Sequence, residues 1–587
     1  MASPAMADGG DGDEDHVAVE ERRDGSAQPD GPDRNGGDSG RGVGSVGGHQ
    51  RSGENRSRHN GNPPLPLGWK SLENGVIDVD FPRGTSDASR RLSEAVIRRT
   101  ITDEQQMTQL IQQNGADLNV EPRLWVAGTR FGYVAYPLLS LCIFNLTDNS
   151  VPSIWAADVG GAGTPVAMPK WQTRGLQLAI MRALIEGGAD INGGGPRRPI
   201  RVAIASCNRE AFGLLMSQPG IQLPGLCVME LPIPLPTDQP TEESEAILLS
   251  FYQLLIQRDS SLATERRPNC MNPLHAAMTP PVCSQQFIDS YIDMLVADGA
   301  DIRAVHNNGW TPLHVAACQG SHCVAASLCR RLTAADINRG RPTDLHPLTP
   351  LTVAAVRLDL VAQQLQNDNT GRAVRDRASI RIPNLKTTMR VLLQAGADIA
   401  LMPTATEHDR RRRQLVLPEY ATVLNNLPDD VMAAVNAALA PQRSLAALLG
   451  PRLAVGPQEA PIFAWRLASY LFDMAAATQT ITEAIGLRHS AMARRVRAAV
   501  EHFVWSGVYE ASSNREVVGG MADVGGEMVR MPLQARLDEA SQHGVAGLVK
   551  GFNEHLGDDD CQFQWQQLGW VERGRDGRAT FRPLQLT

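Results

Sequence analysis

Apolar residues at helical spacing, followed by a glycine turn, recur along the middle of the chain. Residues 287–297 place apolar side chains on one helical face, and Gly299-Ala300-Asp301 follows. A chain that leaves a helix needs a left-handed residue, and this conformation costs glycine least, so the helix is predicted to end at Gly299. Three more helical segments end alike, at Gly115-Ala116-Asp117, Gly188-Ala189-Asp190 and Gly396-Ala397-Asp398.

A second pattern opens the helix that follows each turn. Residues 307–309, Asn-Asn-Gly, tolerate the positive φ of a tight turn. Thr311-Pro312 then predicts a helix start, because threonine caps free N–H groups and proline at the first position lacks an N–H that would go unused. The stretch is therefore predicted to run helix, finger-like turn, helix.

These stretches resemble the ankyrin repeat family. Gly299-Ala300-Asp301 matches the end of one repeat, and residues 309–314, Gly-Trp-Thr-Pro-Leu-His, match the opening of the next. Openings at residues 272, 311 and 349 lie 39 and 38 residues apart, against a family period of about 33. The resemblance implies an all-α fold, an ankyrin-repeat α-solenoid over residues 90–442 that contains inserted loops, and repeats that stack into one continuous core.

The resemblance also gives framework roles to particular residues. In the family, the histidine of the opening motif hydrogen-bonds within and between repeat loops. No nucleophile or carboxylate recurs beside the two such histidines here, which favours a structural role over a catalytic base. The structural residues expected on this basis are His275, Gly299, Asp301, Thr311, Pro312, His314, Gly396 and Asp398.

The remainder of the chain falls into three kinds of segment. Residues 1–65 are rich in Gly, Asp, Arg, Ser and Asn and predict a disordered acidic tail, and 66–89 predict a linker. Gly- and Pro-rich insertions are expected at 147–170 and 219–243 as exposed or functional loops. Residues 415–440 predict a final helix pair. Residues 443–587 resemble no family and predict a mostly helical module, with helices at 462–477, 490–504 and 532–556 and short strands within 562–581.

Composition narrows the class of protein. The chain has 587 residues and a formal net charge of -8, which argues against a generally basic nucleic-acid-binding surface. Its apolar runs are too short to cross a bilayer, so no membrane partner is expected. Nine scattered cysteines favour reduced thiols and a cytoplasmic location, with the nucleus as the alternative.

One group of histidines and cysteines suggests either a zinc site or simple packing. It lacks the two Cys-x-x-Cys pairs of a structural zinc site, and the helical frame spreads the residues over different faces, so buried thiols are favoured and no metal or other cofactor is predicted. The residues of this histidine and cysteine cluster are His314, Cys318, His322, Cys323 and Cys329.

Three other segments carry runs of charge or of glycine that bear on function. The four arginines at 410–413 suggest a solvated finger loop, with a nuclear import signal or a phosphate contact as alternatives. Residues 558–561, Asp-Asp-Asp-Cys, have no metal-loop spacing and predict an acidic turn. The glycine pairs at 519–520 and 525–526 lack the residues of a phosphate loop. No catalytic residue is predicted.

The sequence therefore predicts a non-catalytic protein-interaction scaffold or adaptor, which binds other proteins through finger tips and the concave helix face. An alternative keeps the repeats as a substrate recruiter for a cryptic regulatory or effector enzyme in 443–587. A third hypothesis is a substrate adaptor whose C-terminal helices dock on a larger complex. The candidate partner-binding residues are Arg303, Val305, His306, Asn308 and Trp310.

Overall fold

The described part of the chain begins near residue 65. The computed structural model describes residues 65, 68–72, 75–112, 115–128, 132–143, 152–158, 163–232, 240–277, 283–341, 348–366, 372–453, 460–505, 508–509, 521–524, 527–530, 563, 565, 568–573 and 579–585. Except for Leu65, the predicted disordered tail lies outside these residues. So do the predicted helix at 532–556, the acidic turn at 558–561 and both glycine pairs.

The described residues are mostly helical. The helices before residue 300 are α1 (Asp87–Ile97), α2 (Glu104–Gln112), α3 (Leu138–Ile143), α4 (Arg174–Glu186), α5 (Pro199–Ala205), α6 (Arg209–Met216), α7 (Glu242–Arg258), α8 (Pro273–Ala276) and α9 (Gln285–Ala297). The later helices are α10 (Pro312–Gln319), α11 (His322–Cys329), α12 (Ala334–Ile337), α13 (Pro350–Gln366), α14 (Arg372–Gln394), α15 (Glu407–Leu449), α16 (Ala460–Ser469), α17 (Met474–Ile485) and α18 (Ala491–Trp505). Short 3-10 helices span Gly195–Arg197, Ser260–Thr264, Ile399–Leu401 and Gly450–Arg452.

The all-α prediction is correct only in part, because the described residues also form short strands. The strands are β1 (Lys70–Ser71), β2 (Ile77–Asp80), β3 (Arg123–Val126), β4 (Val134–Ala135), β5 (Trp155–Ala156), β6 (Thr164–Ala167), β7 (Met521–Val524), β8 (Glu527–Arg530), β9 (Gly569–Arg573) and β10 (Ala579–Pro583). β3 pairs antiparallel with β2 and β4, while β6 pairs parallel with β1 and antiparallel with β5. β7 with β8 and β9 with β10 form antiparallel pairs.

The segment predicted as a linker is instead folded. Residues 66–89 supply β1 and β2, and the Trp69 and Phe81 side chains are buried. Ile77 faces Val126 across the β2–β3 ladder, so the strand gains its partner about 50 residues further along the chain. Short strands paired at that distance leave little local trace in the sequence, because their pattern depends on the face that the partner covers.

The insertion expected at 219–243 is packed at residues 228–231, whereas Gln222, Pro224 and Gly225 are exposed as expected. Val228 and Met229 are buried. The Tyr252 hydroxyl of α7 donates to the Glu230 carbonyl at 3.1 Å, and the Tyr291 hydroxyl of α9 donates to the Met229 carbonyl. These bonds fix an irregular segment against two helices.

Between residues 87 and 405, each helix packs mainly against helices that lie close to it along the chain. α10 packs against α8, α11 and α13, and α11 packs against α9 and α14. Apolar residues from Trp69 to Val423 form one connected cluster, the N-terminal core.

Asparagines link successive turns along this core. Asn119 Oδ1 accepts from the Asp190 N–H at 2.7 Å, Asn192 Oδ1 from Gln222 at 2.9 Å, and Asn338 Oδ1 from Asp398 at 2.8 Å.

A second apolar cluster, the C-terminal core, runs from Leu427 to Leu584. The final helix pair predicted at 415–440 is wrong, since α15 is one helix of 43 residues that contains Pro418, Pro428 and Pro441. It crosses the expected boundary at 442/443 without a break, and the core changes between Val423 and Leu427. The helix predicted at 462–477 is two helices, α16 and α17.

Candidate functional site

The candidate site is the finger at residues 298–311, between α9 and α10. α9 ends where Gly299 takes a φ of 93°, and the Ala300 N–H donates to the Leu295 carbonyl at 2.9 Å. Asp301 Oδ1 then accepts from the Arg303 N–H at 2.8 Å, which turns the chain away from the helix. The helix end and the turn thus follow from three consecutive residues, Gly-Ala-Asp.

The finger tip is held by its own backbone. The His306 N–H donates to the Trp310 carbonyl at 3.1 Å, and the Gly309 N–H donates to the His306 carbonyl at 2.8 Å. His306 Nδ1 accepts from the Asn308 N–H at 2.9 Å. Gly309 has a φ of 75°, the left-handed conformation that such a turn requires. Contacts within the chain therefore order the tip without a bound partner.

Two histidines connect successive helix openings. Thr311 and His314 form a capping box at the start of α10, with Pro312 in the first turn, and Asn272 and His275 do the same for α8. His275 Nε2 lies 3.2 Å from the Trp310 carbonyl, and His314 Nε2 lies 3.0 Å from the Leu348 carbonyl. Because a carbonyl can only accept, Nε2 carries the proton in both rings.

Burial lowers the pKa of His275 and of His314 to about 4. Both imidazoles are therefore neutral near pH 7, which lets Nδ1 accept the backbone N–H of Asn272 or Thr311 in the capping box. His314 Nδ1 lies 2.8 Å from the Thr311 hydroxyl, but that oxygen also accepts the His314 N–H as part of the helix cap. These contacts are structural ones.

The five candidate partner-binding residues lie in different surroundings. Arg303 is exposed, but its Nε bonds Asp336 Oδ2 at 2.9 Å in the next turn. His306 and Trp310 are half-buried in a row of rings, 6.1 Å apart, and the Trp310 ring lies 6.4 Å from that of His314. Val305 is half-buried, and Asn308 at the tip is exposed, as is its neighbour Asn307. Part of the set thus braces the finger, and Asn308 is the most available to a partner.

The inner helix behind the finger offers little surface. Every residue of α10 is buried except Gln319, whose Oε1 accepts from Arg381 Nη2. In this repeat the finger, rather than the helix face, carries the exposed side chains. The segment just before α8 lies alongside this finger, since the Asn307 N–H donates to the Asn269 carbonyl at 3.0 Å.

Sequence reasoning missed the bonds between turns. Asparagine recurs two residues after aspartate at 119, 192 and 338, and this spacing could have revealed the linked turns. Position 303 holds arginine instead, and its guanidinium reaches Asp336 of the next turn. Asp398, at the last Gly-Ala-Asp turn, donates its backbone N–H to Asn338 Oδ1.

The histidine and cysteine cluster is dispersed among other contacts. His314 faces the Leu348 carbonyl, Cys318 and Cys329 are buried, and burial raises the pKa of the Cys329 thiol to about 12. Burial also lowers the pKa of His322 and raises that of Cys323 to about 11. Across the described ranges, no group of three or more His, Cys, Asp or Glu side chains is placed to hold a metal ion.

The four arginines at 410–413 are not in a finger loop. They occupy the first turns of α15, which Thr406 caps. Arg411 Nη2 bonds the buried Asp359 Oδ2 at 2.9 Å, and Arg412 Nε lies 3.6 Å from the same oxygen. The expected solvated loop is therefore wrong, because a buried carboxylate on α13 engages two of the four charges.

The comparison with known families agrees with this geometry at one repeat. The ankyrin repeat family model matches residues 308–340, which hold the finger tip, α10, α11 and α12. Ankyrin repeats in general bind other proteins. A comparison with curated proteins found no match to the chain. None of the helices described by the structure is long and apolar enough to cross a membrane.

Proposed function

We propose that this protein is a non-catalytic interaction scaffold or adaptor, in which an ankyrin-repeat α-solenoid with insertions presents the finger at 298–311 to another protein. The ankyrin match at 308–340 supports the repeat assignment. The recurring Gly-Ala-Asp turns and the bonds from Asn119, Asn192 and Asn338 support its extension along the N-terminal core. We place it in the cytoplasm, with the nucleus as the alternative.

One observation carries the proposal. The finger tip is fixed by backbone hydrogen bonds and by Arg303, while Asn308 remains exposed at its end. A pre-ordered loop loses little conformational entropy on binding, so contacts made at the tip contribute more of their free energy to affinity. This arrangement suits recognition of a folded partner surface.

A matched pair of variants tests the proposal. Asn308→Arg places a long charged side chain at the tip, and Gln286→Arg places the same side chain on the exposed face of α9. In quantitative affinity capture from cells expressing the full chain, we expect the first variant to lose at least one protein that both wild type and the second retain. Identical sets of captured proteins for all three chains would contradict the finger as the binding surface.

The proposal assigns no catalytic step to residues 443–587. The alternative, an enzyme whose substrate the repeats recruit, differs in a measurable way. Captured proteins incubated with the purified chain would change in mass if it acted on them. Under the proposal they are expected to leave the complex unmodified.

A further inference from the structure

Three exposed arginines lie in and beside the finger. Arg303 is in the finger itself, Arg266 is in the segment before α8, and Arg339 is in the turn after α12. We call these three residues the basic edge. Because the full chain has a formal net charge of -8, their charge is opposite in sign to that of the chain as a whole.

Contacts with the backbone bring the outer two arginines to the finger. Arg339 Nη1 donates to the Arg303 carbonyl at 3.4 Å. The segment that carries Arg266 is joined to the finger by the Asn307 N–H, which donates to the Asn269 carbonyl at 3.0 Å. The finger is thus flanked by one arginine from the segment before it and one from the turn after it.

The pKa values of the two capping-box histidines reflect these charges. Burial is the main cause of the lowered pKa of His275, and the charge of Arg266 lowers it further. Burial also lowers the pKa of His314, and the charge of Arg339 adds to that effect. Because a charge shifts a pKa most strongly at short range, both guanidinium groups lie near the helix openings that the finger connects.

Acidic side chains around the finger bond to groups of the chain itself. Asp336 Oδ2 pairs with Arg303 Nε at 2.9 Å, and Asp301 Oδ1 accepts the Arg303 N–H at 2.8 Å. Glu265 Oε1 accepts the Cys227 N–H at 3.1 Å. These bonds partly neutralise Arg303 but do not involve the other two arginines of the basic edge.

Arg266 and Arg339 have no ion-pair partner in the part of the chain that the structure describes. A guanidinium carries five N–H donors in a planar fork that matches a carboxylate. A carboxylate that arrives from another molecule therefore gains a charge-assisted hydrogen bond at either position without displacing an existing ion pair.

We propose that the basic edge recognises an acidic segment of the partner protein that binds the finger. This inference rests on the proposed function and adds the chemistry of the partner. Arg266 and Arg339 each bind a carboxylate of the segment. Asn308 contacts the same segment at the finger tip, so a long side chain at 308 holds the segment away from both arginines.

An acidic peptide suits this edge better than a nucleic acid does. Single-stranded nucleic acids stack their bases on aromatic side chains, whereas Trp310 of the finger is half-buried in a row with His306 and His314. The net charge of -8 also repels a long polyanion. The basic edge therefore favours a short stretch of carboxylates.

Selection from a displayed library of random peptides, with the full chain as bait, tests the proposal. We expect enrichment of Asp and Glu. The double variant Arg266→Gln, Arg339→Gln is expected to weaken the selected peptides by at least about tenfold. The control Arg91→Gln, Arg466→Gln removes the same charge from exposed positions on α1 and α16 and is expected to leave affinity unchanged.

A second readout uses the wild-type chain, so it does not depend on how the variants fold. Because surface charges are screened by salt, affinity for a selected peptide is expected to fall at least about tenfold between about 0.05 M and about 0.5 M salt. Equal affinity at both salt concentrations would overturn the proposal.

The outcomes separate this proposal from that of the finger. Selected peptides that crosslink to a photo-reactive amino acid at position 308 but have no excess of Asp or Glu would overturn the acidic partner and leave the finger in place. Equal weakening by the double variant and its control would do the same, as would an oligonucleotide that binds more tightly than the acidic peptides. Peptides that bind without crosslinking at 308 would contradict the finger itself. Failure to enrich any peptide would overturn the acidic partner.

Discussion

The N-terminal and C-terminal cores hold their helices in different ways. In the N-terminal core, α10 begins at a Thr311–His314 capping box, α9 ends at Gly299, and asparagines at 119, 192 and 338 each tie one turn to another. In the C-terminal core, α15 continues through Pro428 and Pro441, and large buried side chains such as Trp465 and Phe503 fill the space. A repeated local motif thus marks where helices start and stop, whereas packing between distant residues leaves no such marks.

Acidification is expected to produce the largest difference in stability between the two cores. Burial lowers the folded-state pKa of His275 and His314 to about 4, below the ordinary value of 6.5. The unfolded chain then binds more protons, so the stability these residues support is complete above pH 6.5 and falls between about pH 6.5 and 4. The slope is about 1.4 kcal/mol per pH unit for each histidine.

Hydrogen exchange measured at several pH values checks this expectation. Peptides covering α8 to α11 are expected to lose protection as the pH falls, before peptides from α16 to α18, where both described histidines, His489 and His502, are exposed. The double variant His275→Gln, His314→Gln is the control and is expected to flatten the pH dependence. Equal loss of protection in both cores would contradict the assignment.

Gly396 joins the two cores and should be more sensitive than Gly299. Both have positive φ, but a Cβ at Gly396 would lie 2.7 Å from the Arg488 carbonyl oxygen, while one at Gly299 meets only Thr264 Cγ2 at 3.5 Å. Gly299→Ala is expected to cost about 1 kcal/mol and Gly396→Ala about 2 kcal/mol or more. Denaturant unfolding measures both, and equal costs would show that residues 486–490 do not press on this turn.

Removing one link between turns should have a smaller effect. Asn338 donates to the Gly396 carbonyl at 3.0 Å and accepts from the Asp398 N–H at 2.8 Å. Asn338→Ala is expected to lower the unfolding free energy by about 1 kcal/mol. Asn308→Ala, which removes an exposed amide at the finger tip, is the control and should leave stability unchanged. An unchanged unfolding free energy for Asn338→Ala would mean that the linked turns do not stabilise the N-terminal core.

Treatment with a chelator is expected to leave the folding of both cores unchanged. The cluster from His314 to Cys329 is assigned to packing, and a structural zinc would make its binding free energy part of folding. Circular dichroism and elemental analysis before and after chelator treatment measure this. Stoichiometric zinc that is lost together with helicity would overturn the assignment.

The sequence predicted what local chemistry determines. It placed the end of α9 at Gly299 and the start of α10 at Thr311-Pro312, because caps and glycine turns act over a few residues. It failed for β1 and β2, whose partners lie far along the chain. It also predicted a helix pair at 415–440, where α15 is one helix, since the tertiary contacts of the helix outweigh the local cost of Pro418 and Pro428.

The candidate site was predictable in position but not in the division of roles. The turn at 307–309 marked the finger. That Arg303 reaches Asp336 and that α10 is buried depends on the helices and turns packed beside them, which periodicity alone does not reveal.

Site-specific photo-crosslinking tests the proposed finger surface most directly. A photo-reactive amino acid replaces Asn308 at the finger tip or, as the control, Gln286 on the exposed face of α9, in the full chain expressed in cells. The account predicts a discrete adduct with another protein from position 308 and none of that mass from position 286. Absence of an adduct at 308, or the same adduct from both positions, would contradict it.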